Sequence, residues 1–332
     1  MKLKEWIKQF KEKKIIVYGD LVADVYLDGQ IARISREAPV FVLEQEREIM
    51  VPGGAANTVH NVATLGGDAM AVGVVGDDRI GEELIRVLES KRVNCSGVVT
   101  DATRPTISKT RITAGGEATV RQQVVRIDRE KKEPLAAPLE EALIGQLLKN
   151  IETAGAVVIS DYGSHTVGVQ ARQVALKLCR ENGIPCIVDS RYDILSFKGA
   201  TLVKQNTAET AAAVGYHLDD EAAVERAGKD LLAKLQGEAV LITRGPEGMS
   251  LFLKDGAVHH IPVTNRSEVF DVSGAGDTVV ATMALAFAAG ASMLEAAVLA
   301  NYAAGIVVRK LGTATTNPAE LKKAIEEKHE TK

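Results

Sequence analysis

The segment Asp271-Val-Ser-Gly-Ala-Gly-Asp277 runs straight into Thr-Val-Val-Ala-Thr-Met-Ala-Leu-Ala-Phe-Ala-Ala, so a carboxylate and two glycines stand at the mouth of an apolar helix. The first N–H groups of a helix lack internal acceptors and carry about half a positive charge, which makes a glycine-lined opening a close-range seat for a phosphate. Gly274, Ala275 and Gly276 can donate N–H groups to phosphoryl oxygens there, and Asp277 can take a proton from an attacking hydroxyl. Taken alone, a Gly-Ala-Gly turn is also an ordinary way to begin a helix. A second glycine cluster, Pro52-Gly-Gly-Ala-Ala-Asn57, opens a helix expected over 58–65 and closed by Gly66-Gly67. Gly53 and Gly54 by themselves signal a tight turn with positive φ. Asn57 adds an amide that both donates to and accepts from sugar hydroxyls.

The elements that must position these residues alternate. Short apolar runs (Met70 to Val75, Ala156 to Ile159, Cys186 to Asp189, Thr201 to Val203, Ala239 to Thr243) are separated by helical stretches such as Gly168 to Asn182 and Asp220 to Gln236. Such runs suit strands of a buried parallel sheet with helices crossing on both faces, a three-layer α/β/α fold. Ligands of such sheets bind beyond the carboxyl ends of the strands, where Asp20, Asp189 and Asn206 fall. Two stretches, 31–51 and 106–127, instead read as strands of period two with no helix between them, and Gly115-Gly116 is expected to turn a hairpin.

The chain has 332 residues, 46% hydrophobic and 25% charged, with a net charge of -4. This is a globular composition with a sizeable core and no overall attraction to nucleic acid. Cys95, Cys179 and Cys186 are odd in number and lack Cys-x-x-Cys spacing, so neither a disulfide framework nor a zinc site is expected, and a reducing cytoplasm is the default setting. Leu3, Trp6, Ile7 and Phe10 lie at helical spacing and lead directly into a strand, which predicts packing on the domain rather than a signal peptide or membrane-surface helix. No run approaches the roughly 20 apolar residues of a membrane span.

Read together, the Gly-Gly-x-x-Asn of 53–57 and the Asp-x-x-Gly-Ala-Gly-Asp of 271–277 resemble the two motifs of the PfkB (ribokinase-like) carbohydrate kinases, and the resemblance spans nearly the whole chain. It implies one kinase domain over 1–332 with a mostly parallel sheet and a small β lid, about 28–52 and 104–128, that often serves as a dimer interface. It implies ATP and magnesium as cofactors, with Asn206 and Glu209 holding magnesium largely through water. Thr243, Gly245, Gly248, Asn301, Gly312 and Thr313 fall on the nucleotide side. Asp20 and Asp24, with Gly53, Gly54 and Asn57, fall on the sugar side, and the Asp271 carbonyl is the site implied for a monovalent cation such as potassium.

Within that family, residues 32–40, Ser160-Asp161-Tyr162 and the stretch from Ala300 to Thr313 look most like heptose-7-phosphate kinases. Many of those are fused to a nucleotidyltransferase, a domain not expected in these 332 residues. The implied reaction is phosphorylation of the anomeric hydroxyl of D-glycero-D-manno-heptose 7-phosphate. Arg33, Lys109, Arg111 and Arg126 on the lid are the cations available for its distal phosphate, if they converge. Departures cluster on the loops: Asp189-Ser-Arg-Tyr stands for Asp-Pro-Lys-Gly, Lys204-Gln-Asn for Thr-Pro-Asn, and Asp161-Tyr-Gly-Ser-His lacks the usual Lys-Gly. The departures bear on the identity of the sugar, for which a ribokinase- or fructokinase-like activity is the alternative. A dinucleotide oxidoreductase would need Gly-x-Gly-x-x-Gly after the first strand, which Gly19 to Asp24 does not supply. A non-catalytic sugar-binding regulator would not need Asp277.

Overall fold

The computed structural model describes residues 2–115, 122–264 and 269–330. In chain order its strands are β1 (Lys14–Gly19), β2 (Leu21–Ile34), β3 (Phe41–Gly54), β4 (Asp68–Gly76), β5 (Val93–Asp101), β6 (Ser108–Gly115), β7 (Gln122–Arg129), β8 (Ala156–Asp161), β9 (Cys186–Ser190), β10 (Leu202–Asn206), β11 (Ala239–Thr243), β12 (Met249–Leu253) and β13 (Val258–Ile261). The helices are α1 (Leu3–Lys8), α2 (Ala55–Thr64), α3 (Arg79–Ser90), α4 (Ala137–Asn150), α5 (Val169–Glu181), α6 (Thr207–Val214), α7 (Glu221–Leu235), α8 (Ala275–Ala289), α9 (Met293–Val307) and α10 (Pro318–Glu330).

Among the described residues, nine strands form one sheet in the order β13-β12-β11-β10-β9-β8-β1-β4-β5. Every pairing from β11 to β5 is parallel, and β12 and β13 add an antiparallel edge. Side chains alternate faces along a strand, and β1 shows it. Ile15 and Val17 join the core formed with α2, α8 and α9, whereas Ile16 and Tyr18 join the core formed with α4, α5 and α7. Both faces are covered, so the strands are continuous apolar runs as expected of a three-layer α/β/α arrangement. Leu3, Ile7 and Phe10 are buried in the first of these cores, which places α1 on the domain. No described helix is long and apolar enough to cross a membrane.

The second sheet has the order β3-β2-β6-β7, with β2 paired parallel to β6 and antiparallel to β3. It begins earlier than the period-two pattern suggests. The strand β2 starts at Leu21, immediately after Asp20, so Asp24 lies within a strand rather than in a loop. Asp24, Tyr26 and Asp28 are level with Lys109, Arg111 and Thr113, and Lys109 and Arg111 are level with Asp128 and Arg126. Residues in register share a face, so this face of the lid is polar and charged. The opposite face carries Val25, Leu27, Ile112, Val125 and Ile127, and β7 is exposed throughout. The turn expected at Gly115-Gly116 lies outside the described residues from Gly116 onward.

Candidate active site

Asp277 sits in the first turn of α8, whose N-cap Gly274 is left-handed at φ 76°. A Cβ on Gly274 would lie 2.5 Å from the Asn57 amide nitrogen, so glycine here satisfies both the turn and the close approach of α2. The Asp277 carboxylate is buried, 3% exposed, and hydrogen-bonded at both oxygens. Its Oδ2 accepts from Asn57 Nδ2 at 2.8 Å, and its Oδ1 accepts from Tyr162 Oη at 2.9 Å and Thr58 Oγ1 at 3.1 Å. Burial is the largest influence on its pKa, followed on the raising side by the charge of Asp189. The Asn57 and Tyr162 hydrogen bonds and Lys204 oppose them, and the result is a carboxyl pushed up to about 6. A carboxylate so raised is a better proton acceptor than a solvated one and is still ionised at neutral pH.

Lys204 supplies the compensating charge. It lies on β10 with its Nζ 2.8 Å from Asp189 Oδ2 on the neighbouring β9, and a Cβ on Gly276 would fall 2.6 Å from that Nζ. Burial alone would depress the Lys204 pKa, but Asp189, Glu209 and Asp277 more than reverse this, so a fixed ammonium stands against the α8 N-terminus. Helix dipole, glycine N–H groups and ammonium together form a site for an anion.

On the other side, α2 begins at Ala55, three residues before the expected start, which brings Asn57 into its first turn and onto Asp277. Gly53 leaves room for the Asp24 carboxylate, whose Oδ2 would lie 2.3 Å from a Cβ there. Asp24 accepts from Arg111 Nη1 at 2.5 Å, and Arg111 also stacks on Tyr26 with 5.3 Å from Cζ to the ring centroid. Asp20 is fully buried and faces the loop after β8. Its Oδ2 accepts from the Tyr162 and Ser164 backbone N–H groups and its Oδ1 from that of Thr166. It therefore shapes the 162–166 loop and has no exposed oxygen to offer a sugar.

Three of the four lid cations meet. Lys109 lies 3.6 Å from Asp128, Arg126 reaches the same carboxylate through two bonds of 2.8 and 2.9 Å, and Arg111 is next in register. Arg33 is not brought to them. It is exposed beyond a register shift near the end of β2.

The residues expected on the nucleotide side lie around the ends of β10, β11 and α9. Asn206 and Glu209 form a reciprocal capping box on α6, Asn206 Oδ1 accepting from Glu209 N and Glu209 Oε2 from Asn206 N, each at 2.8 Å. Thr243 is level with Asn206 on the adjacent strand and donates to Gln205 O. Gly245 and Gly248 belong to the hairpin between β11 and β12. Gly248, at φ 88°, would place a Cβ 2.1 Å from Ile261 O, which gives it a turn role of its own. Asn301 donates to Pro262 O at 2.8 Å. Asp271 accepts from Ser273 N and, at 3.0 Å, from Gly312 N, tying the glycine turn to the loop that carries Thr313. Thr313 Cγ2 would stand 3.5 Å from a Cβ on Gly274. Among the described residues no group of three or more His, Cys, Asp or Glu side chains is arranged to hold a metal directly.

Sequence reasoning did not single out Thr58, nor the contact of Tyr162 with Asp277, and it treated Lys204 only as a departure from a pattern. Lys204 had a signal, a charged residue directly after the apolar Leu202-Val203 in a run read as a buried strand. The hydroxyls had none, because Thr58 and Tyr162 reach Asp277 across more than a hundred residues.

The profile described as pfkB family carbohydrate kinase matches residues 12–320. The "Bifunctional protein HldE" of Geobacter metallireducens is 45% identical over 307 residues, covering 92% of this chain and 61% of that protein. The protein of the same name from Azorhizobium caulinodans is 42% identical, covering 94% of this chain and 64% of that protein. The chain thus spans less than two thirds of the length of these curated relatives. Among solved structures, phosphofructokinase-2 from Escherichia coli in complex with substrates and products superposes with a TM-score of 0.76 at 22% identity, over 96% of this chain and 99% of that one. Arabidopsis thaliana ribokinase complexed with ribose and ATP gives 0.73 at 19% identity, over 95% and 99%. The two structures share the three-layer fold with this chain.

Proposed function

Because the chain belongs to the pfkB family of carbohydrate kinases, we propose that it transfers the γ-phosphoryl group of ATP to the anomeric hydroxyl of D-glycero-D-manno-heptose 7-phosphate. The observation that carries the reaction is the buried Asp277 carboxylate in the first turn of α8, beside Gly274 and Gly276 and within the field of Lys204. Asp277 accepts the sugar proton, and the N–H groups of Gly274 and Gly276 meet the phosphoryl oxygens, whereas that of Ala275 is already donated to Val272 O at 3.2 Å. One such preorganised donor contributes on the order of 3 kcal/mol to a transition state. Lys204 neutralises the charge that accumulates there.

ATP fits this end of the sheet because the α8 turn and Lys204 form an anion site, and its base and ribose would lie toward Thr243, Asn301, Gly312 and Thr313. Magnesium bound with ATP neutralises phosphate charge. Asn206 and Glu209 already serve each other in a capping box, so they suit an ion that keeps its waters. A monovalent cation at the Asp271 carbonyl belongs to the same reading. The whole chain acts as one catalytic unit with the lid over the sugar. The apolar outer face of the lid, with Val125 and Ile127 exposed, supports a homodimer formed through it. A reducing cytoplasmic setting goes with the three free cysteines.

The heptose reading is supported by the relatives named HldE and by the charged lid face where Lys109, Arg111 and Arg126 gather. Lys109 and Arg126 share one carboxylate, which leaves the cluster with positive charge for a distal phosphate. Lys109→Met is therefore expected to raise KM for the sugar phosphate about tenfold or more while changing KM for an unphosphorylated analogue little. Steady-state kinetics on both substrates checks this, and equal effects on the two would remove Lys109 from the phosphate site.

A further inference from the structure

The loop after β8 places one side chain against both glycine turns. The Tyr162 backbone N–H donates to Asp20 Oδ2 at 2.7 Å, and its ring edge would be 3.5 Å from a Cβ on Gly54. The Arg191 guanidinium covers the ring at 4.8 Å from the centroid, and the hydroxyl donates to Asp277 Oδ1 at 2.9 Å. We propose that Tyr162 is a positioning residue for the phosphoryl-transfer step, holding Asp277 by Oδ1 so that Oδ2 is the oxygen that accepts the sugar proton. This rests on Asp277 being the base of the proposed kinase.

The division of labour follows from counting donors. Oδ1 already takes two, from Tyr162 and Thr58, whereas Oδ2 takes one, from Asn57. A carboxylate oxygen accepts comfortably at two lone-pair positions, so the open position is on Oδ2. Transfer moves the hydroxyl proton to Oδ2 while the sugar oxygen forms its bond to phosphorus and the bond from phosphorus to the β-phosphate oxygen of ATP breaks. The phenol cannot take Asp277's place as base. Its burial, with Asp277 and Asp189 nearby, pushes its pKa well above the ordinary value, so it remains a donor throughout the range in which Asp277 titrates. Tyr162 is fixed at its backbone by Asp20 on β1's end and at its ring by the Gly54 turn and Arg191, so the orientation of the base is set by the same loop that borders the sugar side.

The groups facing Asp277 are Asn57 and Thr58 from α2, Tyr162 from the loop after β8, Asp189 from β9 and Lys204 from β10. Of these, Asp189 raises its pKa, whereas Asn57, Tyr162 and Lys204 lower it. The wild-type profile of kcat/KM against pH should have an acid limb near 6, with the rate falling about tenfold per unit below it. In Tyr162→Phe one donor to the ionised form is gone and the ring remains. The limb should then move up by roughly half a unit to one unit, and kcat on the alkaline plateau should fall about threefold to tenfold. Replacing Tyr162 with 3,5-difluorotyrosine, a stronger donor of the same shape, should move the limb downward.

The Asp277 carboxyl can also be titrated without turnover, from the infrared band of its protonated form in 13C-aspartate-labelled protein, taken as the difference against D277N. The same upward shift in Tyr162→Phe is expected there, so a variant with impaired catalysis still reports. An acid limb and an infrared titration that both stay at the wild-type position in Tyr162→Phe would overturn the proposal while leaving Asp277 as base. If D277N itself retained full turnover, the kinase reading of Asp277 would fail, and the assignment of Tyr162 with it.

Discussion

Replacing Asp277 with Asn is expected to lower kcat by 10²- to 10⁴-fold, roughly the contribution of a positioned general base, while ATP binding persists. The side chain keeps its size and lies in a buried pocket of hydrogen-bonding partners, so what is removed is the charge and the ability to take a proton. In the proposed function the nucleotide is held by other groups, the N–H groups of the α8 turn and Lys204, and these are unchanged. Steady-state kinetics with calorimetric titration of ATP separates the two effects. A loss of no more than about tenfold in kcat would contradict the role of Asp277, since a base of this kind contributes more than that.

The second large effect is on stability. Lys204→Met removes one member of a pair whose side chains are 7% and 12% exposed, leaving the Asp189 carboxylate buried without its counter-charge. Breaking a buried pair in this way costs about 3–5 kcal/mol, because the remaining ion keeps its desolvation penalty. In a chain of this size the melting temperature should fall by roughly 5 °C or more. Replacing both partners, as Lys204→Met with Asp189→Leu, should recover most of the loss, since two apolar groups leave no unpaired charge. Activity should remain low in the double variant, because the ammonium beside Gly276 is still missing. Thermal unfolding of the single and double variants is the measurement. A single variant as stable as wild type would show that Asp189 does not depend on Lys204.

Much of this architecture is legible in the residues because it is local. Apolar runs such as Ala156 to Ile159 read as buried strands, and the period-two stretch of 106–113 reads as part of a half-exposed sheet. The two glycine clusters stand at helix starts, where a positive φ and a close approach leave little choice of residue. Asn206 and Glu209 carry the spacing of a capping box, and that is the bond they make.

What could not be read depends on pairings between distant segments. Asp20 and Asp24 look alike in the sequence as neighbours of the first strand. One is enclosed by the N–H groups of residues 162–166 and the other faces Arg111 on the lid. The gathering of Lys109, Arg111 and Arg126 needs the register of β6 on β7, which Arg33 does not share. Tyr162 and Thr58 are ordinary residues until the sheet brings them to Asp277.

The most direct test of the central claim is the turnover of ATP with a set of acceptors by the purified full chain: D-glycero-D-manno-heptose 7-phosphate, the free heptose, fructose 6-phosphate, fructose and ribose. Product position is assigned by phosphorus NMR. The proposed function, which rests on the similarity to the proteins named HldE, predicts that the heptose 7-phosphate has the highest kcat/KM and gains its new phosphate on the anomeric oxygen. Faster turnover of free ribose or fructose than of any sugar phosphate would contradict it.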